Sequence, residues 1–305
     1  MKGIRVANAP VSFGVFELST GAANLPGADE VAKAVADSGY EGIDLGPPGF
    51  LGRGNDLRRS LDRRHLDLSG GWVELRLADR DGFRQDLEYL EGCLDLFEAG
   101  SADDGPWWPR PTLADAGSPE RKANPGRGKD LPDIGLDDDG WKHLAQRVSE
   151  AADRCRCRGL EPTFHHHACT YVEAPHEIER LLELTNVGLC LDSGHLLLGG
   201  GNPVQAFSDW SERINHVHVK DARLNVLERV VREGLGMEAV WGQGAFCELG
   251  EGDAGVDEFL SAVKSSGYQG WLVVEQDRIP SADDSFAAVA GAQARNRERL
   301  CRYGL

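Results

Sequence analysis

Two apolar runs that lie close together in the chain, each leading into polar side chains, constrain the fold more than any other feature. Residues 187–191 lead directly to Asp192, and residues 214–219 contain His218 near their end. Apolar runs of this length without regular polar alternation are typical of strands buried on both faces of a parallel sheet. Because the carboxyl ends of neighbouring parallel strands meet at one edge, we expect this carboxylate and this imidazole to share a divalent cation.

The rest of the chain repeats this alternation of short apolar runs and helical patterns. We predict strands at residues 4–7, 40–45, 66–75, 93–99, 160–167, 187–192, 214–219 and 271–275. We predict helices at residues 29–38, 55–64, 83–90, 137–158, 175–184, 203–210, 256–266 and 281–303. Eight strands alternating with helices indicate an α/β fold, either a doubly wound open sheet or a (β/α)8 TIM barrel. Polar residues at the carboxyl ends of the fifth to eighth strands favour the barrel, as a single domain over residues 1–305.

Three segments are predicted as irregular loops, at residues 46–54, 100–133 and 224–255. The segment 100–133 contains Trp107 and Trp108 and is otherwise rich in Gly, Pro and Asp. It could be a linker between domains or a loop that covers the substrate, and the paired tryptophans favour the loop. The fourth strand, at residues 93–99, has an alternative too, because the same residues could lengthen the preceding helix.

The composition excludes several classes of partner. The chain has 50 acidic and 33 basic residues, and its net charge of −17 opposes binding to phosphate backbones. Its seven cysteines form no CxxC pair, which is typical of free thiols in a reducing cytoplasm. No apolar run approaches the roughly 18 residues of a membrane span, and the start of the chain has no export segment. We therefore predict a cytoplasmic protein without nucleic-acid or membrane partners; whether it forms a homo-oligomer stays open.

Four successive strand ends carry groups that bind metals. Asp192, His218 and Glu275 end the sixth, seventh and eighth strands, and the fifth offers Glu161 or the histidines behind it. A single strand-end carboxylate often only caps the next helix, but four in succession predict a shared site at the mouth of a barrel. Carboxylate and imidazole ligands without thiolates suit Mn²⁺, Mg²⁺ or Co²⁺.

The run His165, His166 and His167 forms a second cluster. Strand alternation places His165 and His167 on one face and His166 on the other. One of these histidines could replace Glu161 as a metal ligand, and another could move protons, because imidazole titrates near neutral pH. A polar strand end with one functional histidine explains the run equally well.

Other side chains are candidates for contacts with a substrate. His195 could bind a substrate hydroxyl or orient a metal ligand, and Lys220 could bind a substrate oxygen or pair with Asp221. Glu17 and Trp72 lie where the loops of a barrel meet its substrate, although a structural role explains them better.

Several motifs resemble one family of barrels. They are FHHHACT, LCLDSGHLLLGGGNP, RINHVHVKD, LGEG with VDEF, and GYQGWLVVEQD, together with NAPVSFGVFE near the start. In combination they resemble the inosose dehydratase branch of the xylose isomerase-like TIM barrels. The match covers the first strand and almost all of residues 160–277, and it is more specific for the superfamily than for the branch.

The resemblance implies a set of site residues. Asp192, His218 and Glu275 are the implied metal ligands, and Glu161 is the fourth because LEP is similar to the glutamate-proline of sugar isomerases. The dehydratase branch tends to carry its histidine run without that glutamate, so His165 or His167 stays open as the ligand. The resemblance further implies His195 and Lys220 as substrate contacts. Our own candidates for catalysis are Glu161, Glu275 and His167, and our further candidates for substrate contacts are Glu17, Trp72 and His166.

The resemblance also implies a function. We expect a metal-dependent lyase, with Mn²⁺ favoured over Co²⁺ or Mg²⁺, that dehydrates a keto-inositol or related keto-sugar in inositol catabolism. The reaction would pass through a metal-stabilised enediolate formed when a carboxylate or imidazole removes a proton beside a carbonyl. A sugar isomerase or epimerase that uses the same metal site is the alternative. The acidic balance argues against a nuclease, and the complete ligand set argues against a binding protein with an inactive site.

Overall fold

The apolar runs form strands of a parallel barrel in a computed structural model that describes residues 3–19, 25–102, 107–280 and 285–305. The strands are β1 (Ile4–Asn8), β2 (Gly42–Ile43), β3 (Asp67–Leu68), β4 (Gly70–Leu75), β5 (Arg110–Asp115), β6 (Thr163–His165), β7 (Gly188–Asp192), β8 (Ile214–Val219), β9 (Asp221–Ala222), β10 (Phe246–Cys247) and β11 (Gly270–Val274). Strands β9 and β10 form a separate antiparallel pair, and the others pair in parallel in one sheet.

Strands β3 and β4, which are two parts of one interrupted strand, close the barrel. The sheet runs in the order β3-β2-β1-β11-β8-β7-β6-β5-β4, so its two edges are β3 and β4. Only Ser69 separates these edges in the chain, and Leu45 N donates a hydrogen bond to Gly70 O at 2.9 Å beside the junction. With β3 and β4 counted as one strand, the barrel has eight strands. The predicted α/β (β/α)8 barrel is therefore confirmed, while the single-domain boundary at residues 1–305 stays a prediction.

Helices surround the barrel and cover the outer face of its strands. They are α1 (Ala28–Asp37), α2 (Asn55–Asp62), α3 (Arg80–Gly100), α4 (Pro119–Ala123), α5 (Asp138–Cys157), α6 (Pro175–Leu184), α7 (Ser193–Leu198), α8 (Pro203–Asp209), α9 (Leu224–Arg232), α10 (Met237–Gly242), α11 (Val256–Ser265) and α12 (Phe286–Cys301). Their apolar faces and the strands share one large core, in which Val148 and Phe259 are fully buried. Within the described ranges, no helix has the length and apolar character that crossing a membrane requires.

The predicted strand at residues 93–99 is wrong, because these residues continue α3. Leu90, Cys93, Leu94 and Phe97 are buried, and their spacing of three and four residues places them on one face of a helix. The fourth strand is β5 instead, inside the segment predicted as a loop. The helix predicted over residues 281–303 is observed as α12, and residues 281–284 lie outside the described ranges.

The tryptophan pair does not cover a substrate, and its segment is not a linker. Trp107 and Trp108 precede β5, and the side chain of Trp271 donates from Nε1 to Trp107 O at 2.9 Å. The rings of Trp107 and Trp271 lie 6.0 Å apart, and Trp271 stands at the start of β11. Trp107 and Trp108 therefore lie at the amino-terminal end of the barrel, away from the carboxyl ends of the strands.

A buried arginine fastens the segment that follows β5 to the mouth of the barrel. Arg121, on α4, is fully buried and pairs with Glu177, and its Nη1 lies 3.5 Å from Glu173. Its Nε also donates to Ile134 O at 3.0 Å, near the far end of the same segment. The guanidinium of Arg121 thus contacts both Ile134, at the far end of this segment, and the two glutamates around the start of α6. These contacts hold residues 121–134 against the turn that begins α6.

We expect Arg121→Ala to lower the free energy of unfolding by about 3 to 5 kcal/mol, because it leaves two buried carboxylates without a cation. Urea denaturation followed by circular dichroism measures this loss. Arg127→Ala is the matched control, since Arg127 is partly exposed and pairs with Asp130 at 3.4 Å. Removal of that surface pair should cost less than about 1 kcal/mol. Equal losses in the two variants would contradict the anchoring role of Arg121.

Candidate active site

Side chains from four neighbouring strand ends meet at the mouth of the barrel. His165 ends β6, Asp192 ends β7, His218 lies in β8, and Glu275 directly follows β11. All four are buried, and one ligand atom from each lies within 4.8 Å of the others. His165 Nε2 is 3.3 Å from Asp192 Oδ2, and His218 Nδ1 is 3.0 Å from Glu275 Oε2. We call these four residues the ligand cluster.

The ligand cluster fits a divalent cation. A cation that binds nitrogen and oxygen at about 2.1 Å holds its ligands about 3 to 4 Å apart, which matches the observed separations. Asp192 Oδ2 and both ring nitrogens of His218 are buried and form no hydrogen bond of good geometry among the described residues, although Asp192 Oδ2 and His218 Nδ1 lie within 3.3 Å of oppositely charged groups. Unsatisfied buried atoms are costly, and coordination to a metal would satisfy Asp192 Oδ2 and one ring nitrogen of His218. Two imidazoles and two carboxylates suit several divalent metals, so the cluster does not select among them.

Lys220 lies beside the ligand cluster and contacts three carboxylates. Its Nζ is 2.8 Å from Asp277 Oδ1, 3.0 Å from Glu275 Oε2 and 3.3 Å from Asp192 Oδ2. Burial opposes its charge, but these carboxylates raise the pKa of Lys220 well above its usual value. The amino group therefore remains a cation that donates hydrogen bonds, and it is not a nucleophile.

Opposite charges also control the protonation of the cluster. Against the effect of burial, Lys220 and the neighbouring histidines lower the pKa of Asp192 well below its usual value. His218 and Lys220 likewise lower the pKa of Glu275. Asp277 behaves differently, because burial outweighs Lys220 and raises its pKa to about 6. Asp192 and Glu275 are therefore ionised, as metal ligands must be.

The histidine run divides between the two faces of β6, as its alternation predicts. His165 and His167 line a cavity above the ligand cluster. His166 is fully buried on the other face, where its Nε2 accepts a hydrogen bond from Asp192 N at 3.2 Å. Burial lowers the pKa of His166 to about 3. Its predicted contact with substrate is wrong, because the pleat of the strand points it away from the cavity.

Glu161 lies at the opposite end of the strand from the ligand cluster. Its carboxylate is about half exposed and pairs with Arg156 at 2.9 Å. The prediction of Glu161 as a ligand and catalytic residue is wrong, because β6 begins only at Thr163 and Glu161 precedes it. His165 occupies the place in the cluster that the sequence left open between a glutamate and a histidine.

His195 stands behind His167 and does not face the cavity. The two rings have centroids 3.7 Å apart, and His195 is fully buried. Its Nδ1 accepts a hydrogen bond from Ala168 N at 3.4 Å, so Nε2 carries the hydrogen and donates to Asp277 Oδ2 at 3.2 Å. The predicted substrate contact is therefore wrong for His195, which instead orients Asp277. The same tautomer argues against a metal between His167, His195 and Asp277, although their ligand atoms are close.

A cavity of about 900 Å³ opens above the ligand cluster. Its floor contains His218, Lys220 and Glu275, and Trp72 forms one wall, with its ring 5.2 Å from the rings of both His165 and His167. The outer part is lined by Glu17, Glu74, Tyr89, Lys122, Met237 and Trp241. Desolvation inside the cavity raises the pKa of Glu74 to about 7 and also raises that of Glu17, although both residues keep an exposed surface. The structure thus brings the predicted residues Lys220, Trp72 and Glu17 to one cavity.

Asp277, Asp44 and Lys122 are among the cavity residues that were not predicted from the sequence. Asp277 lies two residues beyond Glu275, and the alternation of the strand could have placed both on one side. Asp44 directly follows β2, a strand end like those of the ligand cluster. Lys122 lies on α4, in a segment whose composition gives no regular pattern, so no sequence signal indicates it.

Comparison with protein families assigns the fold. The family described as xylose isomerase-like TIM barrel matches residues 32–294. The chain belongs to this family.

Individual relatives are similar over most of the chain. An inosose dehydratase of Geobacillus kaustophilus is 29% identical over 296 residues, which cover 89% of this chain and 89% of that protein. The rhizopine catabolism protein MocC of Rhizobium meliloti is 32% identical over 271 residues, covering 83% of this chain and 75% of that protein. Among solved structures, the IOLI protein with a bound zinc atom aligns with a TM-score of 0.70, 14% identity and 99% coverage of both chains. At that identity the structural likeness concerns the fold alone.

We expect Asp192→Asn and His165→Gln each to weaken the binding of Mn²⁺ by at least about 100-fold, since the loss even of an outer partner costs about 10- to 100-fold. Isothermal titration calorimetry on protein stripped with a chelator measures the affinity. Glu161→Gln is the matched control and should bind Mn²⁺ as the unchanged protein does. Weaker binding by Glu161→Gln would contradict the ligand cluster as defined here.

Proposed function

We propose that the protein is a divalent-metal-dependent dehydratase that removes water from a keto-inositol. The observation that carries this proposal is the ligand cluster at the base of a cavity, with the Lys220 cation beside it. The similarity to an inosose dehydratase over 89% of the chain supports the choice of substrate. The cavity is large enough for a six-membered ring and its hydroxyl groups.

The chain's own residues would bind and orient the substrate. When bound to His165, Asp192, His218 and Glu275, a divalent cation would supply Lewis acidity that polarises the substrate carbonyl. Lys220 lines the cavity and can donate a charge-assisted hydrogen bond to a substrate oxygen. Asp277, held by His195 and Lys220, fixes the direction of that amino group.

Removal of a proton beside the carbonyl falls to Glu275 or His167, which both line the cavity. His167 Nδ1 donates to Ala168 O at 2.6 Å, so its Nε2 keeps a lone pair. Burial lowers the pKa of His167 well below its usual value, so the resting ring is neutral, although the same shift weakens it as a base. Trp72 packs its ring against His167 and limits the orientations that the imidazole can take.

We also propose Mn²⁺ as the metal, with Co²⁺ or Mg²⁺ as alternatives, because carboxylate and imidazole ligands suit these ions. The net charge of −17 supports a small neutral substrate over a nucleic acid. The free cysteines, five of them buried, support a reducing compartment such as the cytoplasm. A role in inositol catabolism follows from the proposed substrate.

We expect the Mn²⁺-loaded protein to convert 2-keto-myo-inositol into a product that lacks one water and shows a new enone absorbance. Mass spectrometry and ultraviolet spectroscopy follow the reaction. Asp192→Asn should lower kcat at least about 100-fold, because it removes a ligand at the reacting centre. Glu161→Gln should retain full activity. A product of unchanged mass would support the isomerase or epimerase alternative, and no turnover would contradict the proposed substrate.

A further inference from the structure

Asp44 is a buried carboxylic acid on the wall of the cavity. It directly follows β2, where its backbone N donates to Asn8 O at 2.9 Å. Its side chain is 4% exposed and lines the same cavity as Lys220 and Glu275. Asp44 is therefore held rigidly with its carboxyl group directed to the space that a substrate would fill.

The strand order places Asp44 across the mouth from the ligand cluster. Around the eight-stranded barrel, β2 is four strands from β7 in either direction, so Asp44 faces Asp192 across the barrel. A substrate ring whose carbonyl oxygen is held at the ligand cluster thus presents its far edge to Asp44. This edge carries the hydroxyl groups that lie beyond the carbon next to the carbonyl.

The hydrogen-bond and ion-pair partners of Asp44 differ from those of Glu275 and Asp277, two other carboxyl groups of the cavity. Glu275 and Asp277 both contact the Lys220 cation. The carboxyl group of Asp44 accepts a hydrogen bond from the neutral Ser69 hydroxyl at Oδ1, and no described Lys, Arg or His forms an ion pair with it. Burial, together with Glu275, raises the pKa of Asp44 to about 6, despite the lowering effects of His218, Ser69 and Lys220. A fraction of the Asp44 side chains therefore holds a proton in the resting site near neutral pH.

Elimination of water requires such a proton, because hydroxide is a poor leaving group. We propose that Asp44 is the catalytic acid that protonates the departing hydroxyl group. This inference rests on the proposed dehydratase function. The C–H bond beside the carbonyl breaks and its proton passes to a base on the opposite side of the cavity. Its electron pair forms a carbon–carbon double bond, the C–O bond at the next carbon breaks, and the oxygen leaves as water with the proton of Asp44. Ser69 stabilises the resulting carboxylate, which regains a proton from solvent after the product leaves, while the base releases its proton to solvent.

Asp44→Asn tests this assignment, because the amide keeps the shape of the side chain but cannot supply a proton. In D₂O, Mn²⁺-loaded D44N should still exchange the hydrogen beside the carbonyl of 2-keto-myo-inositol for deuterium. It should form the dehydrated product about 10²- to 10⁴-fold more slowly than the unchanged protein, the usual contribution of general acid catalysis. Nuclear magnetic resonance follows the exchange, and mass spectrometry follows the loss of water in the same samples.

A second variant and a control complete the experiment. Asp44→Glu keeps an acidic group and should recover part of the dehydration that D44N loses. Asp67→Asn is the matched control, because Asp67 is a neighbouring strand carboxylate that pairs with Arg5 at 2.6 Å at the other end of the barrel. It should dehydrate at the unchanged rate. Circular dichroism confirms that each variant is folded.

The outcomes separate this assignment from the proposed function. Dehydration by D44N within about threefold of the unchanged protein would overturn the role of Asp44, since general acids contribute far more. Loss of exchange and dehydration together in folded D44N would also overturn it, because the acid acts only on the leaving group. If the unchanged protein neither exchanges nor dehydrates this substrate, the proposed function itself fails.

Discussion

Three buried carboxylates that converge on one amino group determine how the rest of the site is arranged. Asp192, Glu275 and Asp277 all contact Lys220 within 3.3 Å. Burial of several carboxylates is costly unless opposite charge compensates them. His218 supplies a second positive charge when no metal is bound, because, against the effect of burial, Cys190 and Glu275 raise its pKa well above the usual value. A divalent cation bound to a neutral His218 would replace that proton and, with the Lys220 ammonium, would balance the three carboxylates. The charges of this mouth are therefore compatible with a metal, and the ligand distances favour one.

The sequence was sufficient to predict the members of this site that directly end apolar runs. Asp192 ends β7, His218 lies one residue before the end of β8, and Glu275 directly follows β11. The composition of these strands marks them as buried, so the place of the three residues at the mouth follows from the barrel alone. Glu161 was wrongly predicted because the apolar run that contains it starts before the strand does. The strand boundary depends on the three residues that pair with β5 and β7, and local composition does not reveal it.

The remaining errors and omissions arise from contacts between distant segments. Residues 93–99 are mostly apolar, as in a short buried strand, yet the packing of α3 against the core makes them helical. The true fourth strand, β5, contains arginine, proline and aspartate, which weaken its apolar pattern. His195 was predicted at the cavity because it follows Asp192 closely, but the ring of His167 covers it. Asp44 and Lys122 acquire their positions only when the barrel closes and α4 is fastened over it.

The two sides of the cavity differ in a way that bears on the choice of reaction. On one side, Ala168 N donates to His195, His195 donates to Asp277, and Asp277 binds Lys220, so a fixed chain of hydrogen bonds holds the charged groups. On the other side, Asp44 pairs only with a hydroxyl among the described residues. An isomerase moves a proton between carbons beside the carbonyl and needs no acid on the far side, whereas an epimerase needs an acid at the opposite face of that same carbon. Elimination needs an acid on the far side, and this asymmetry is therefore better suited to loss of water than to isomerisation.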